Sequence, residues 1–171
     1  LTVNANITST NGLIDLNAGD NFIHNSGTIS TGGDVDIDAG GKADTKDING
    51  NNIFVDAANG DITLFGKIQA AAKIALTALS GGIRDSHVSS DPDLKAVDLV
   101  MKANNGIGLN NPPLDTQVSN LAALNSSSGD IDIKNTGALT IKTIDGVVGV
   151  KNDASGGKIK VVASSPLTVN S

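Results

Sequence analysis

The chain alternates apolar and polar residues in short runs, and the same run keeps returning. Ile14-Asp15-Leu16-Asn17-Ala18-Gly19 is followed 21 residues later by Val35-Asp36-Ile37-Asp38-Ala39-Gly40. Looser forms appear at Ile53-Phe54-Val55-Asp56-Ala57 and Ile74-Ala75-Leu76-Thr77-Ala78. Apolar positions two apart mark strands with one buried face, and a period of about 20 residues marks a repeat architecture. In the round that begins at Ile53, Asn59-Gly60 and Gly66 punctuate three short strands, near 53–55, 62–64 and 68. Strands this short do not stand alone as hairpins. Wound into a coil, each pairs in parallel with its counterpart one round away, about 4.8 Å distant. The prediction is an all-β parallel β-helix, a solenoid of ~20-residue coils with three short strands each. Ile14, Leu16, Val35, Ile37, Ile53, Val55, Ile74 and Leu76 point inward; Asp15, Asp36, Phe54 and Ala75 point outward.

The rhythm divides the chain into regular coils over 1–82, a loop-rich excursion over 83–119, and further coils over 120–171. Within the first part, Gly40 to Asn52 is the weakest round, with only Ala43 and Ile48 as inward residues, and is expected to be partly looped out. Two pieces of the excursion offer helix starts, 91–102 behind the Asp91-Pro92 cap and 115–124 behind Asp115. For the first, a strand at 99–101 competes as another return of the opening motif and is preferred. Beyond it, Ile131-Asp132-Ile133 and Leu139-Thr140-Ile141 match Ile159-Lys160-Val161 and Leu167-Thr168-Val169 at an offset of 28. Leu1-Thr2-Val3-Asn4 likewise returns as Leu167-Thr168-Val169-Asn170, which raises the expectation of a unit within a longer tandem array.

Composition narrows the choices. Among 171 residues there are 20 Gly, 18 Asp and no Glu, Cys, Trp or Tyr, with a net charge of −6. Asp and Gly favour turns over helix, and a core left to Val, Ile, Leu and Ala suits thin, regular layers. The 12 basic residues are dispersed, which argues against a nucleic-acid partner. No apolar run approaches the ~18 residues of a membrane span, so membrane insertion is not expected. Leu1 opens directly on a strand-like pattern, so the chain reads as a mature or excised segment.

One long tract has a more specific character. It runs Gly106-Ile107-Gly108, Asn111-Pro112-Pro113-Leu114-Asp115-Thr116, Val118, Leu121-Ala122-Ala123, Gly129-Asp130-Ile131 and Asn135-Thr136-Gly137-Ala138-Leu139-Thr140. It resembles the repeat regions of large bacterial exoproteins of the filamentous haemagglutinin-like type. The likeness is sharpest over 106–141, and the doubled Pro112-Pro113 departs from the usual single proline. The resemblance implies a right-handed coil, secretion across a Gram-negative outer membrane, and a role in adhesion or surface assembly. It transfers shaft architecture and no functional residue. The expected role is a structural and adhesive shaft segment without catalysis. Its partners would be more of the same chain, a head-to-tail copy, or host-cell and matrix glycans. A polysaccharide-cleaving or glycan-binding β-helix is the alternative.

Candidate chemistry is sparse, and no catalytic, cofactor or metal residue is assigned. Asn17, Asp38, Asp56 and Thr77 stack at one strand-end corner if rounds lie in register, which would let Asp38 and Asp56 share a cation such as calcium. The expected reading is that each bonds a turn amide. Asp15 and Asp36 are read as a solvated outer face eased by lysines such as Lys42. Asp85, His87, Asp91 and Asp93, with Arg84 nearby, form the one cluster of histidine and carboxylates, suited to acid–base work but read as a polar loop. His24 is read as an exposed wall residue.

Overall fold

The computed structural model describes residues 1–89, 91–108 and 112–170. Among the described residues the named strands pair only in parallel, and there is no helix. The chain winds as a β-solenoid whose coils are about 21 residues long near its start. One ladder carries Ile14 against Val35, then Ile53, Ile74, Leu99, Leu121, Ile141 and Val169. A second runs from Ile7 through Ile29, Ile48, Ile68, Leu94 and Thr116 to Asn135 and Ala163. A third joins Phe22, Ala43, Ile62 and Ile83, and single bridges extend it to Ile107 and Ile131. Three walls therefore enclose one aliphatic core, in which Val35, Ile37, Ile53, Val55, Ile62 and Ile74 are wholly buried. Stacking like on like satisfies the backbone and keeps each inward position apolar with a single register.

The corners explain the Ala-Gly ending of the repeated motif. The Gly40 N–H donates to the Ala18 carbonyl at 2.8 Å. A Cβ on Gly40 would overlap the Gly19 carbonyl, and one on Gly81 would overlap the Gly60 carbonyl. Successive turns stack so closely that only glycine fits.

Several expectations are corrected. The round at 40–52 is not looped out: Ala43–Thr45 and Asp47–Ala57 are strands, with Ala43, Thr45 and Ile48 wholly buried. Small side chains suffice there because the neighbouring rungs supply the bulk. The 115–124 stretch is not helical but part of the strand Leu114–Asn125, and 91–102 is not helical because Leu94–Ala103 is a strand that includes 99–101. Cross-rung pairing overrides the local caps, since Leu94, Leu99, Leu114 and Leu121 each fill an inward position. The interval 83–119 thus holds Ile83–Asp85, Leu94–Ala103 and the start of Leu114–Asn125, leaving 86–89, 91–93, 104–106, 108 and 112–113 irregular among the described residues.

A second excursion went unread in the sequence. After Leu139–Lys142 the chain leaves the wall and returns at Val150–Asn152, which pairs with Ala123 to Asn125. Between them Ile144 and Val147 bridge antiparallel around Asp145-Gly146, both at positive φ (47° and 78°). Asp-Gly is the residue pair such a tight hairpin favours. Ile144 and Val147 fold over the outer surface of the wall and bury Val100 and Ala122, and Lys73 Nζ holds Asp145 at 2.7 Å.

Candidate functional site

The strand Ile83–Asp85 alternates in, out, in, so Ile83 and Asp85 face inward and Arg84 outward. Asp85 occupies an interior position in line with Leu64 and Thr45. The chain then crosses to the next wall, which begins at Leu94. Asp93 stands just before that strand and is 1% exposed. Its backbone is fixed on both sides: the Ile68 N–H donates to the Asp93 carbonyl at 2.8 Å, and the Asp93 N–H donates to the Asp115 carbonyl at 3.0 Å. Two buried carboxyls thus meet at the corner where the loop leaves and rejoins the coil.

His87 closes the group. Its Nδ1 lies 2.6 Å from Asp93 Oδ1, and its backbone N–H donates to Asp85 Oδ1 at 2.8 Å. Asp93 Oδ2 is buried and meets no nitrogen or hydroxyl donor among the described residues. Burial pushes the Asp93 carboxyl up to about 7; the His87 hydrogen bond opposes this, and a hydrogen bond and charge from Asp85 add to it. A proton on Asp93 removes the charge from its buried, unpartnered second oxygen while Oδ1 still accepts from His87. The imidazole borders an open cleft of about 470 Å³ with Ser86, Val88, Ser89 and Pro112. The arrangement can hold and orient a histidine and exchange a proton near neutral pH.

The structure assembles three of the four residues the sequence grouped. Asp91 is drawn away by Lys67 Nζ at 2.8 Å, and Arg84 Nε pairs with Asp61 at 2.6 Å. Among the described residues no group of three or more His, Cys, Asp or Glu is placed to hold a metal ion.

The corner ladder forms in register, with Asn17, Asp38, Asp56 and Thr77 one above the other. The expectation that each bonds a turn amide fails for Asp38 and Asp56. Among the described residues neither makes such a bond; both project into the shallow trough that Asn17, Thr77 and Leu79 share. Asn17 Nδ2 instead donates to Asp15 Oδ1 at 2.5 Å. Lys42 does not ease the outer aspartates, because it binds Asp44. Asp36 is raised above the usual carboxylate range by burial and by the charges of Asp38, Asp15 and Asp56.

His24 is not an exposed wall residue. It is 2% exposed, with Nε2 3.2 Å from the Gly27 carbonyl and Nδ1 accepting from the Lys46 N–H at 3.2 Å. The inward residues of its strand are Phe22 and His24, not Ile23, a one-residue change of face that an isolated three-residue strand leaves open. Burial lowers its pKa. Two interior asparagines were also missed. Asn135 Oδ1 accepts from the Val118 N–H (2.9 Å) and Thr116 Oγ1 (2.9 Å), while Nδ2 donates to the Val118 carbonyl. Asn125 Oδ1 accepts from the Gly106 N–H at 2.7 Å. Their signal was the Asn that ends two inward-facing runs, at Leu124-Asn125 and Lys134-Asn135.

Comparison of the chain with family models, with curated proteins and with solved structures finds no match.

Proposed function

We propose that the chain is a shaft segment of a secreted bacterial cell-surface or filament-forming protein, with a structural and adhesive role and no reaction of its own. One observation carries the reading: parallel ladders stack like on like through successive coils, from Ile14 to Val169 along one wall, and among the described residues no strand pairs beyond the rung at 159–170. Ile159 is 49% exposed, Leu167 45% and Val169 62%, although their counterparts Ile131 and Leu139 one coil earlier are buried. An edge of this kind is a template for another strand. In this reading the next coil comes from more of the same polypeptide or from a second copy added head to tail. The shaft then holds an adhesive tip away from the cell, toward host-cell or matrix glycans.

The test is antibody labelling of intact and permeabilised cells of the source bacterium, paired with small-angle scattering of the purified chain. Labelling of intact cells, and rods that lengthen with concentration and shorten in Val169→Asp, are expected. Labelling confined to permeabilised cells would overturn the surface reading.

A second reading rests on the Asp93–His87 pair beside its cleft: a glycan-binding or polysaccharide-cleaving site. Binding or cleavage of acidic polysaccharides, lost in His87→Ala while the fold is kept, would favour it.

A further inference from the structure

Charge is unevenly spread along the coil. Residues 1–66 contain nine Asp and two Lys, whereas 67–171 contain nine Asp and ten Lys or Arg. The wall that carries the opening motif turns this asymmetry into a surface. Its outer ladder reads Asp38, Asp56, Thr77, Lys102, Leu124 and Lys151. The neighbouring ladder adds Asp15 and Asp36 at the acidic end, and Lys142 stands at the basic end. Among the described residues none of Asp15, Asp36, Asp38 and Asp56 forms an ion pair, and neither does Lys102. Relief follows the same division. The acidic half is a shallow trough rimmed by Leu79, which is 66% exposed. The basic half is raised by the 143–149 hairpin, which presents Val148 at 61% exposure.

We propose that this wall is an interface between two copies of the chain, laid face to face with their long axes opposed. A two-fold axis along the strand of Thr77 places rungs at equal distances above and below it opposite each other. Asp56 of each copy then faces Lys102 of the other. Asp15 of each copy comes opposite Lys142 of the other, Asn17 opposite Lys151 and Asp38 opposite Leu124, and the raised hairpin of each copy lies against the acidic half of the other. A two-fold patch must be complementary to itself, and a wall with Asp56 and Asp15 on one side of the Thr77 rung and Lys102 and Lys142 on the other meets that condition only when reversed, although Lys142 also pairs with Asp98 and Lys151 with Asp153. Opposite charges across the interface fix this orientation and suppress the parallel one, which would set like on like. The pairing is lateral and does not depend on continuation at the ends.

The test is sedimentation equilibrium of the chain at low ionic strength, with a chelator present so that no divalent cation bridges the carboxylates. A dimer is expected, weakening as salt is raised. Asp56→Lys alone and Lys102→Asp alone should each raise the dissociation constant at least tenfold, with circular dichroism unchanged. Mixing these two variants should restore the dimer, because in the mixed pair both reciprocal contacts again join opposite charges. Val169→Asp at the open rung should leave lateral pairing intact while abolishing end-to-end growth, which separates this inference from the shaft reading. A wild-type chain that is monomeric at low salt, or variants that fail to recover on mixing, would overturn it.

Discussion

His87 Nδ1 and Asp93 Oδ1 lie 2.6 Å apart, with the Asp93 side chain sealed inside the coil at 1% exposure. The contact ties the segment after the strand Ile83–Asp85 to the start of the strand Leu94–Ala103. It also makes that corner sensitive to pH, because burial favours the protonated form of the Asp93 carboxyl.

Asp93, raised to about 7, binds its proton more tightly when folded than when unfolded. Its contribution is complete below the ordinary carboxylate value near 4 and is lost as pH rises toward 7. Across that window the folding equilibrium should weaken by roughly tenfold per pH unit from this group alone. Asp93→Asn keeps an acceptor for His87 and a donor for Asp85 without the titration. Denaturant melts at pH 5 and pH 7.5 should show the variant with the smaller change, and as stable as wild type or more so at the higher pH.

His24 acts in the opposite sense. Its pKa is lowered by burial, so the folded state favours the neutral ring. The contribution is present above about 6.5 and is lost as pH falls below that value. Native-state NMR titration of the imidazole should give a midpoint below the ordinary histidine value of about 6.5. A midpoint at or above 6.5 would contradict the buried geometry.

Gly81→Ala should cost about 1–3 kcal/mol, as overpacking does. The added Cβ meets backbone, the Gly60 carbonyl, which has no rotamer to yield. Gly137→Ala is a useful comparison: φ is +99° there but nothing lies within 4 Å, so its penalty is conformational and not steric. Thermal melts of both, with the rung at Gly81 showing faster amide exchange, would check the distinction.

Asn135→Ala should cost about 1–3 kcal/mol, because it leaves the buried Val118 N–H and carbonyl without partners. Asn135→Asp keeps the acceptor but loses the donor, so it should also destabilise at neutral pH. Loss of amide protection centred on Val118 would locate the effect, whereas uniform loss would argue for a general packing defect.

The sequence by itself determined the coil. Inward positions recur at Ile14, Val35, Ile53 and Ile74 because a strand has period two and the turns have nearly fixed length, and the structure stacks them as that pattern requires. It also grouped Asp85, His87 and Asp93, which lie close along the chain. Only the tertiary structure decided which neighbours each group received from other rungs. Lys67 comes from the preceding coil and removes Asp91 from the cluster. Phe22 stacks on Ala43 and so turns His24 inward. The Asp145-Gly146 hairpin finds its cover on Val100 and Ala122. Each outcome depends on cross-rung register, which is set by the summed lengths of the turns and by what the coils above and below leave unfilled. A local pattern of apolar and polar residues carries neither quantity.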